Sequence, residues 1–79
     1  MPKVVMFGAL EQVAGWRERV IDVETLDGLR TVLAAQDGDL GARLAGPGVF
    51  AVVNHTMVRG DQALAPEDEV AFIPPVSGG

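Results

Sequence analysis

Few side chains in this sequence could carry chemistry on their own. His55 is the only histidine and Ser77 the only serine, while cysteine and tyrosine are absent. Nucleophilic catalysis needs a nucleophile, a base and a group that orients the base, and this inventory falls short of such a set. His55 follows Asn54 in an expected turn and reads as an exposed turn residue. Acid–base work by paired carboxylates needs two acids in different surroundings. The densest acidic run, Glu67-Asp68-Glu69, sits at an expected turn and reads as solvated loop. One histidine without cysteine argues against a zinc site. The lack of cysteine also excludes disulfides, a thiolate nucleophile and a persulfide carried on a side chain.

The last six residues are a different matter. After Ile73 the chain reads Pro74-Pro75-Val76-Ser77-Gly78-Gly79. Two successive prolines lack N–H donors and hold φ at about −65°, so they end sheet pairing and project an extended segment. The terminal glycines carry no Cβ and can enter a channel too narrow for any side chain. An unbranched carboxylate on such a stalk is what an enzyme needs to bring that group to a nucleotide phosphate. Activated as a mixed anhydride with AMP, the Gly79 carboxyl becomes an acyl donor to a sulfur nucleophile. With 10 glycines in 79 residues, a terminal pair arises by chance in (10/79)², about 1 sequence in 60. The weight therefore rests on the pair together with its rigid Pro-Pro spacer and the small body behind it.

That body must end in a strand. Lys3 to Phe7 is β-branched and apolar, too short for a helix, and closed by Gly8, which predicts a central strand buried on both faces. Helix formers over Ala9 to Ala14 run to Gly15 as a C-terminal cap, and alternation over Arg17 to Val23 predicts a second strand. Thr25 is placed to N-cap a helix with Leu26, Leu29, Val32, Leu33 and Gln36 along one stripe. Asp27 suits its dipole, Gly28 weakens it by about 1 kcal/mol relative to Ala, and Asp37-Gly38 ends it. Residues 39–48 are expected to form a short helical turn and a loop. Phe50 to Val53 is then a strand, Asn54-His55 a turn, and Thr56 to Arg59 another short strand. Ala65 to Asp68 is a turn with Pro66 at its second position, and Glu69 to Ile73 is the last strand. This order predicts an α+β layer, a mixed five-stranded sheet with one main helix packed across it. The domain is expected over residues 1–73 and a flexible tail over 74–79.

Composition narrows the partners. Apolar residues make up 48% of the chain, enough for the thin core of a domain that buries roughly 60–65% of its unfolded surface. Eleven acidic residues against six basic ones give a net charge of −5. Nucleic-acid binding needs the opposite sign, and Lys3, Arg17, Arg19, Arg30, Arg43 and Arg59 are scattered rather than clustered. An acidic surface suits encounter with a basic protein. No apolar run reaches the length of a membrane span, and the opening residues do not resemble a signal peptide. The expectation is a cytoplasmic protein with neither nucleic acid nor membrane as partner.

At this point a family resemblance becomes visible. Glu69-Val70-Ala71-Phe72-Ile73-Pro74-Pro75-Val76-Ser77-Gly78-Gly79 is similar to the C-terminal signature of the small, sulfur-carrying subunit of molybdopterin synthase. Ala51-Val52-Val53-Asn54-His55-Thr56-Met57-Val58 resembles that family's strand–Asn–strand segment. Lys3-Val4-Val5-Met6-Phe7-Gly8 and the helix entry at Thr25-Leu26 also fit, so the resemblance runs the length of the chain. It departs twice. Glu11-Gln12 stands where the family often has Arg-Glu, which leaves a partner salt bridge at this end without its residues. Pro66-Glu67-Asp68 replaces Asp-Gly-Asp in the last turn, a local substitution because Pro66 rebuilds the turn without positive φ.

The resemblance implies a ubiquitin-like β-grasp fold and a defined chemistry. An E1-like enzyme adenylates the Gly79 carboxylate with ATP, and sulfur then replaces an oxygen to give a thiocarboxylate. Pro74, Pro75, Val76, Ser77 and Gly78 carry it into the active site of the large subunit of molybdopterin synthase, in a heterotetramer. There the sulfur passes to cyclic pyranopterin monophosphate. On this reading the chain is no enzyme by itself and holds no permanent cofactor or metal, and the ATP belongs to the activating enzyme. Met57, Ile73 and Val76 are expected as apolar partner contacts beside the tail, with Met57 and Ile73 as ordinary core residues the competing reading. A carrier for thiamine or tRNA thiolation would use Gly79 identically. A ubiquitin-like modifier would instead join Gly79 to lysines of other proteins, and a plain interaction module would not use it at all.

Overall fold

Valine, methionine and phenylalanine at alternate positions give the sheet a face that must be covered. Strand β1 (Lys3–Met6) lies parallel to β5 (Glu69–Ile73), with Val4 beside Val70 and Met6 beside Phe72. Strand β2 (Glu18–Val20) pairs antiparallel with β1, β3 (Phe50–Val53) with β5, and β4 (Thr56–Val58) with β3. Among the described residues, which are 1–75 of this computed structural model, the sheet order is β2-β1-β5-β3-β4. The last strand of the chain is thus the central one. The architecture is the mixed five-stranded β-grasp sheet that the resemblance implies.

Helices α1 (Ala9–Ala14), α2 (Leu26–Gln36) and α3 (Gly38–Leu44) cover one face of it. Leu10, Leu26, Leu29, Leu33, Leu40 and Leu44 pack with Val4, Met6, Ala51, Val53, Val70 and Phe72 in a single buried cluster. Thr25 caps α2 as expected, its Oγ1 accepting from the Gly28 N–H at 2.9 Å. A Cβ on residue 28 would lie 2.9 Å from that same oxygen, so the glycine that weakens the helix also makes room for its cap. Asp37 ends α2 and opens α3, its carboxylate accepting from the Leu40 N–H at 3.1 Å.

Several expectations need correction. The second strand is three residues long rather than seven, because its register meets Lys3 at Val20 and β1 begins there. Ile21 turns into the core instead. The main helix is not the only one: residues 38–44 form a seven-residue helix where a turn was expected. Gln36 is exposed and no part of the buried stripe. Phe7 lies beyond the end of β1 and is exposed. No helix among the described residues is long and apolar enough to cross a membrane.

Candidate functional site

Strand β5 leads directly into the segment singled out above. Ile73 makes its last pairing, opposite Phe50, and Pro74 and Pro75 follow. Val76, Ser77, Gly78 and Gly79, including the proposed reacting end, lie outside the described residues. The two prolines do not simply project from the body. Gly8, at φ +53°, faces the Pro74 ring, and a Cβ there would sit 3.1 Å from Pro74 Cγ. Gly48, at φ +83°, faces Pro75, and a Cβ there would sit 2.8 Å from Pro75 Cβ. Beside them runs a groove of about 280 Å³ whose walls include Leu10, Val13, Arg43 and Val49.

The other face of the sheet carries no helix among the described residues. Strand alternation puts Val5 of β1, Ala71 and Ile73 of β5, Phe50 and Val52 of β3, and Met57 of β4 on this side. Met57 is 51% exposed, Phe50 42% and Phe7 40%. Met57 lies opposite Val52, which lies opposite Ala71, so three adjacent strands bring Met57 and Ile73 onto one apolar surface. Neither residue belongs to the buried cluster. A shallow depression of about 370 Å³ crosses this face between Phe7, Val52, Ala71 and Ile73, with Arg17 and His55 at its margin.

Charged and polar groups frame that surface. Lys3 Nζ lies 3.1 Å from Glu69 and 4.0 Å from Glu18. The hydrogen bond from Lys3 to Glu69, helped by the charges of Glu18 and Glu69, raises its pKa above the ordinary lysine value. Asn54 and His55 both take positive φ, +49° and +69°, as a two-residue hairpin turn requires. The Asn54 amide ties that turn to β5: Nδ2 donates to Asp68 Oδ1 at 2.8 Å, and Oδ1 accepts from the Glu69 N–H at 2.9 Å. Asp68 also accepts from the Ala65 N–H at 2.8 Å. That backbone donor first, and the Asn54 amide second, hold the Asp68 carboxyl below its ordinary range. His55 is an exposed turn residue, and Ala65 to Asp68 forms the expected turn, closed by the Asp68 N–H donating to the Ala65 carbonyl at 3.0 Å. Among the described residues no cluster of three His, Cys, Asp or Glu side chains could hold a metal ion.

With the fold and the course of β5 into the two prolines described, comparison with known proteins supplies the family. The chain belongs to the ThiS family. Residues 4–79 match that family of ubiquitin-like β-grasp sulfur carriers. The carrier is 38% identical to the molybdopterin synthase sulfur carrier subunit of Escherichia coli (strain K12), over the full length of both. The crystal structure of SAMP1 from Haloferax volcanii superposes with a TM-score of 0.86 at 29% identity, covering 99% of this chain and 98% of that one. The solution structure of small archaeal modifier protein 1 from Methanosarcina acetivorans gives 0.87 at 23% identity, covering 99% and 95%, a likeness of fold.

Sequence reasoning had passed over Phe7, Phe50 and Val52 as surface residues, and Gly8 and Gly48 as neighbours of the prolines. A signal for the first group exists. Phe50-Ala51-Val52-Val53 is apolar in both phases of the strand, while a single helical layer can cover only one of them. No comparable signal marks the glycines, whose neighbours are set by the fold.

Proposed function

We propose that the carrier works through the carboxylate of Gly79, as a sulfur donor in molybdopterin synthesis. An E1-like enzyme joins that carboxylate to the α-phosphate of ATP with loss of pyrophosphate. Hydrosulfide then attacks the carbonyl carbon, AMP departs with the former carboxylate oxygen, and loss of the S–H proton leaves a thiocarboxylate. The large subunit of molybdopterin synthase docks on the open face, with Met57 and Ile73 at the interface, and receives the loaded end together with Val76. Catalytic side chains then reside on the partner. The observation that carries this reading is the continuity of the central strand β5 with a buttressed Pro-Pro root at the margin of an uncovered apolar surface. The pterin as acceptor is supported by the full-length relative named for molybdopterin synthase.

A second reading has a specific observation behind it. The likeness to structures of small archaeal modifier proteins favours a carrier that also, or instead, forms isopeptide bonds through Gly79. Together with the ThiS family match, it supports the alternatives, another thiolation pathway or a modifier, better than it supports the pterin as acceptor. Thiamine or tRNA thiolation differ from the first reading only in the acceptor.

Intact mass after incubation with an E1-like enzyme, ATP and a sulfur donor tests the shared chemistry. The expected gain is one sulfur-for-oxygen exchange, abolished by deleting Gly78 and Gly79. No change with an enzyme active on another carrier would overturn it. Sulfur transfer to the pterin with the large subunit, against lysine-linked adducts in extract, then separates the two readings.

A further inference from the structure

We infer that Gly8 and Gly48 are positioning residues that set the direction in which the C-terminal segment leaves the sheet. The inference rests on the reading of Gly79 as the reacting end. Strand β5 lies between β1 and β3. Gly8 sits just past the end of β1, and Gly48 just before β3. Parallel and antiparallel pairing place both of these loops at the end where β5 finishes. The two prolines therefore leave β5 between two loops, Pro74 against one and Pro75 against the other.

A proline ring is a rigid object with φ fixed. It cannot swing aside as a lysine or methionine side chain can, so anything pressed against it must move the backbone. Ordinary carbon–carbon separations at van der Waals distance are about 3.5–4.0 Å. A Cβ at residue 8 would come within 3.1 Å of Pro74, and one at residue 48 within 2.8 Å of Pro75. Both sites also carry positive φ, +53° and +83°, which glycine adopts without the clash a Cβ brings. Two independent demands, on dihedral and on space, fall on the same two residues. Four residues separate Pro75 from the end of Gly79, a reach of at most about 14 Å. The angle at the prolines thus decides where the reacting carboxylate can be presented.

The fold supplies controls for the test. Gly15 and Gly60 have φ of +83° and +81°, yet a Cβ at either would meet nothing within 4 Å. Gly15→Ala and Gly60→Ala reproduce the dihedral strain without the collision, and Gly48→Ala adds the collision. Gly48→Asn brings the same Cβ with a residue that tolerates positive φ better, in case the alanine variant fails to fold. Thermal melting of the full chain, the NMR proximity of residue 48 to Pro75, and steady-state loading of Gly79 are read for each. The expected result is destabilisation of all the alanine variants, largest for Gly48→Ala, with Pro75 displaced from residue 48 only in the residue 48 variants. Loading by those variants should fall about 100-fold, in kcat rather than KM, because misplacing a reacting group by about 1 Å costs on that order. In a Pro75→Gly background, Gly48→Ala should lower loading no further, while its dihedral strain still lowers the melting midpoint. Equal loading by Gly48→Ala and Gly60→Ala, or an undiminished fall in the Pro75→Gly background, would overturn the inference. If the wild-type chain is not loaded at all, the Gly79 reading fails. Direction-setting then stands or falls on the NMR proximity alone, and its persistence in the residue 48 variants would refute it.

Discussion

Two phenylalanines one position apart in adjacent strands offer a direct measurement of the sheet's sidedness. Phe72 is 1% exposed and faces the helices, while Phe50 is 42% exposed and faces away. Truncating a buried phenylalanine to alanine costs about 3–5 kcal/mol. A chain of 79 residues has a total stability of about 4–12 kcal/mol at ~0.05–0.15 kcal/mol per residue. Phe72→Ala should therefore remove a large share of it, and a melting midpoint that moves by about 4–8 °C per kcal/mol should fall by roughly 12–40 °C. With 42% of Phe50 already wet, little more than half of a transfer energy of about 1.5–3 kcal/mol is at stake. Phe50→Ala should then cost about 1–2 kcal/mol. Urea titrations followed by circular dichroism measure both. Equal losses in the two variants would refute the two-faced description, and with it the proposal that a partner covers the open side.

Met57→Asp should weaken the proposed complex with the large subunit by about 100-fold, since it removes apolar burial and leaves a carboxylate to be desolvated. The free variant should melt within a few degrees of the parent, and calorimetric titration checks the binding; loss of the fold itself would return Met57 to the core. Asp68→Asn tests the strut that joins the Asn54 turn to β5. The Asp68 carboxyl is held below its ordinary pKa of 3.8 by the Ala65 N–H and the Asn54 amide. Such a group contributes stability above its unfolded pKa and loses the contribution as pH falls through the folded value. The variant should be the less stable protein at neutral pH, and the gap should close as pH drops below 3.8. Urea midpoints measured across the acid range would show it, and a gap that stays constant would contradict the hydrogen-bond account.

How much could be read beforehand depended on whether the deciding interactions were local. Thr25, Asp27 and Asp37-Gly38 frame α2 through interactions a few residues apart, so its bounds were visible in the sequence. Glu69 to Ile73 and Phe50 to Val53 were equally plain, because each is a short β-rich run between turn residues. Helix α3 was not, since Gly38 and Gly41 dilute its pattern and only Leu40 and Leu44 are buried. The excess length expected of β2 had another cause: alternation continues through Val23, but pairing stops where β1 has no more backbone to offer. Of the open face only Met57 and Ile73 were expected as surface residues, because an alternating pattern marks a covered side only when the other side is polar. Gly8 and Gly48 look like terminators of their elements, and nothing local says that two prolines from the far end of the chain lie against them.

The placement of β5 joins these observations. A reactive end on an edge strand would inherit the fraying of that edge, and its origin would wander. Here the strand that leads to Gly79 is paired on both sides, parallel to β1 and antiparallel to β3. Its Val70 and Phe72 are among the least exposed residues of the protein, at 0% and 1%. The root of the C-terminal segment is thus anchored in the most constrained part of the fold, and Pro74 and Pro75 extend that constraint for two residues more. On the proposed function, the end reacts inside other proteins and has no use for catalytic side chains of its own. What it needs is a fixed origin, a fixed heading and a surface beside it for the partner to grip. The central strand supplies the first, the packing of the prolines against Gly8 and Gly48 the second, and the apolar face with Phe50, Met57 and Ile73 the third.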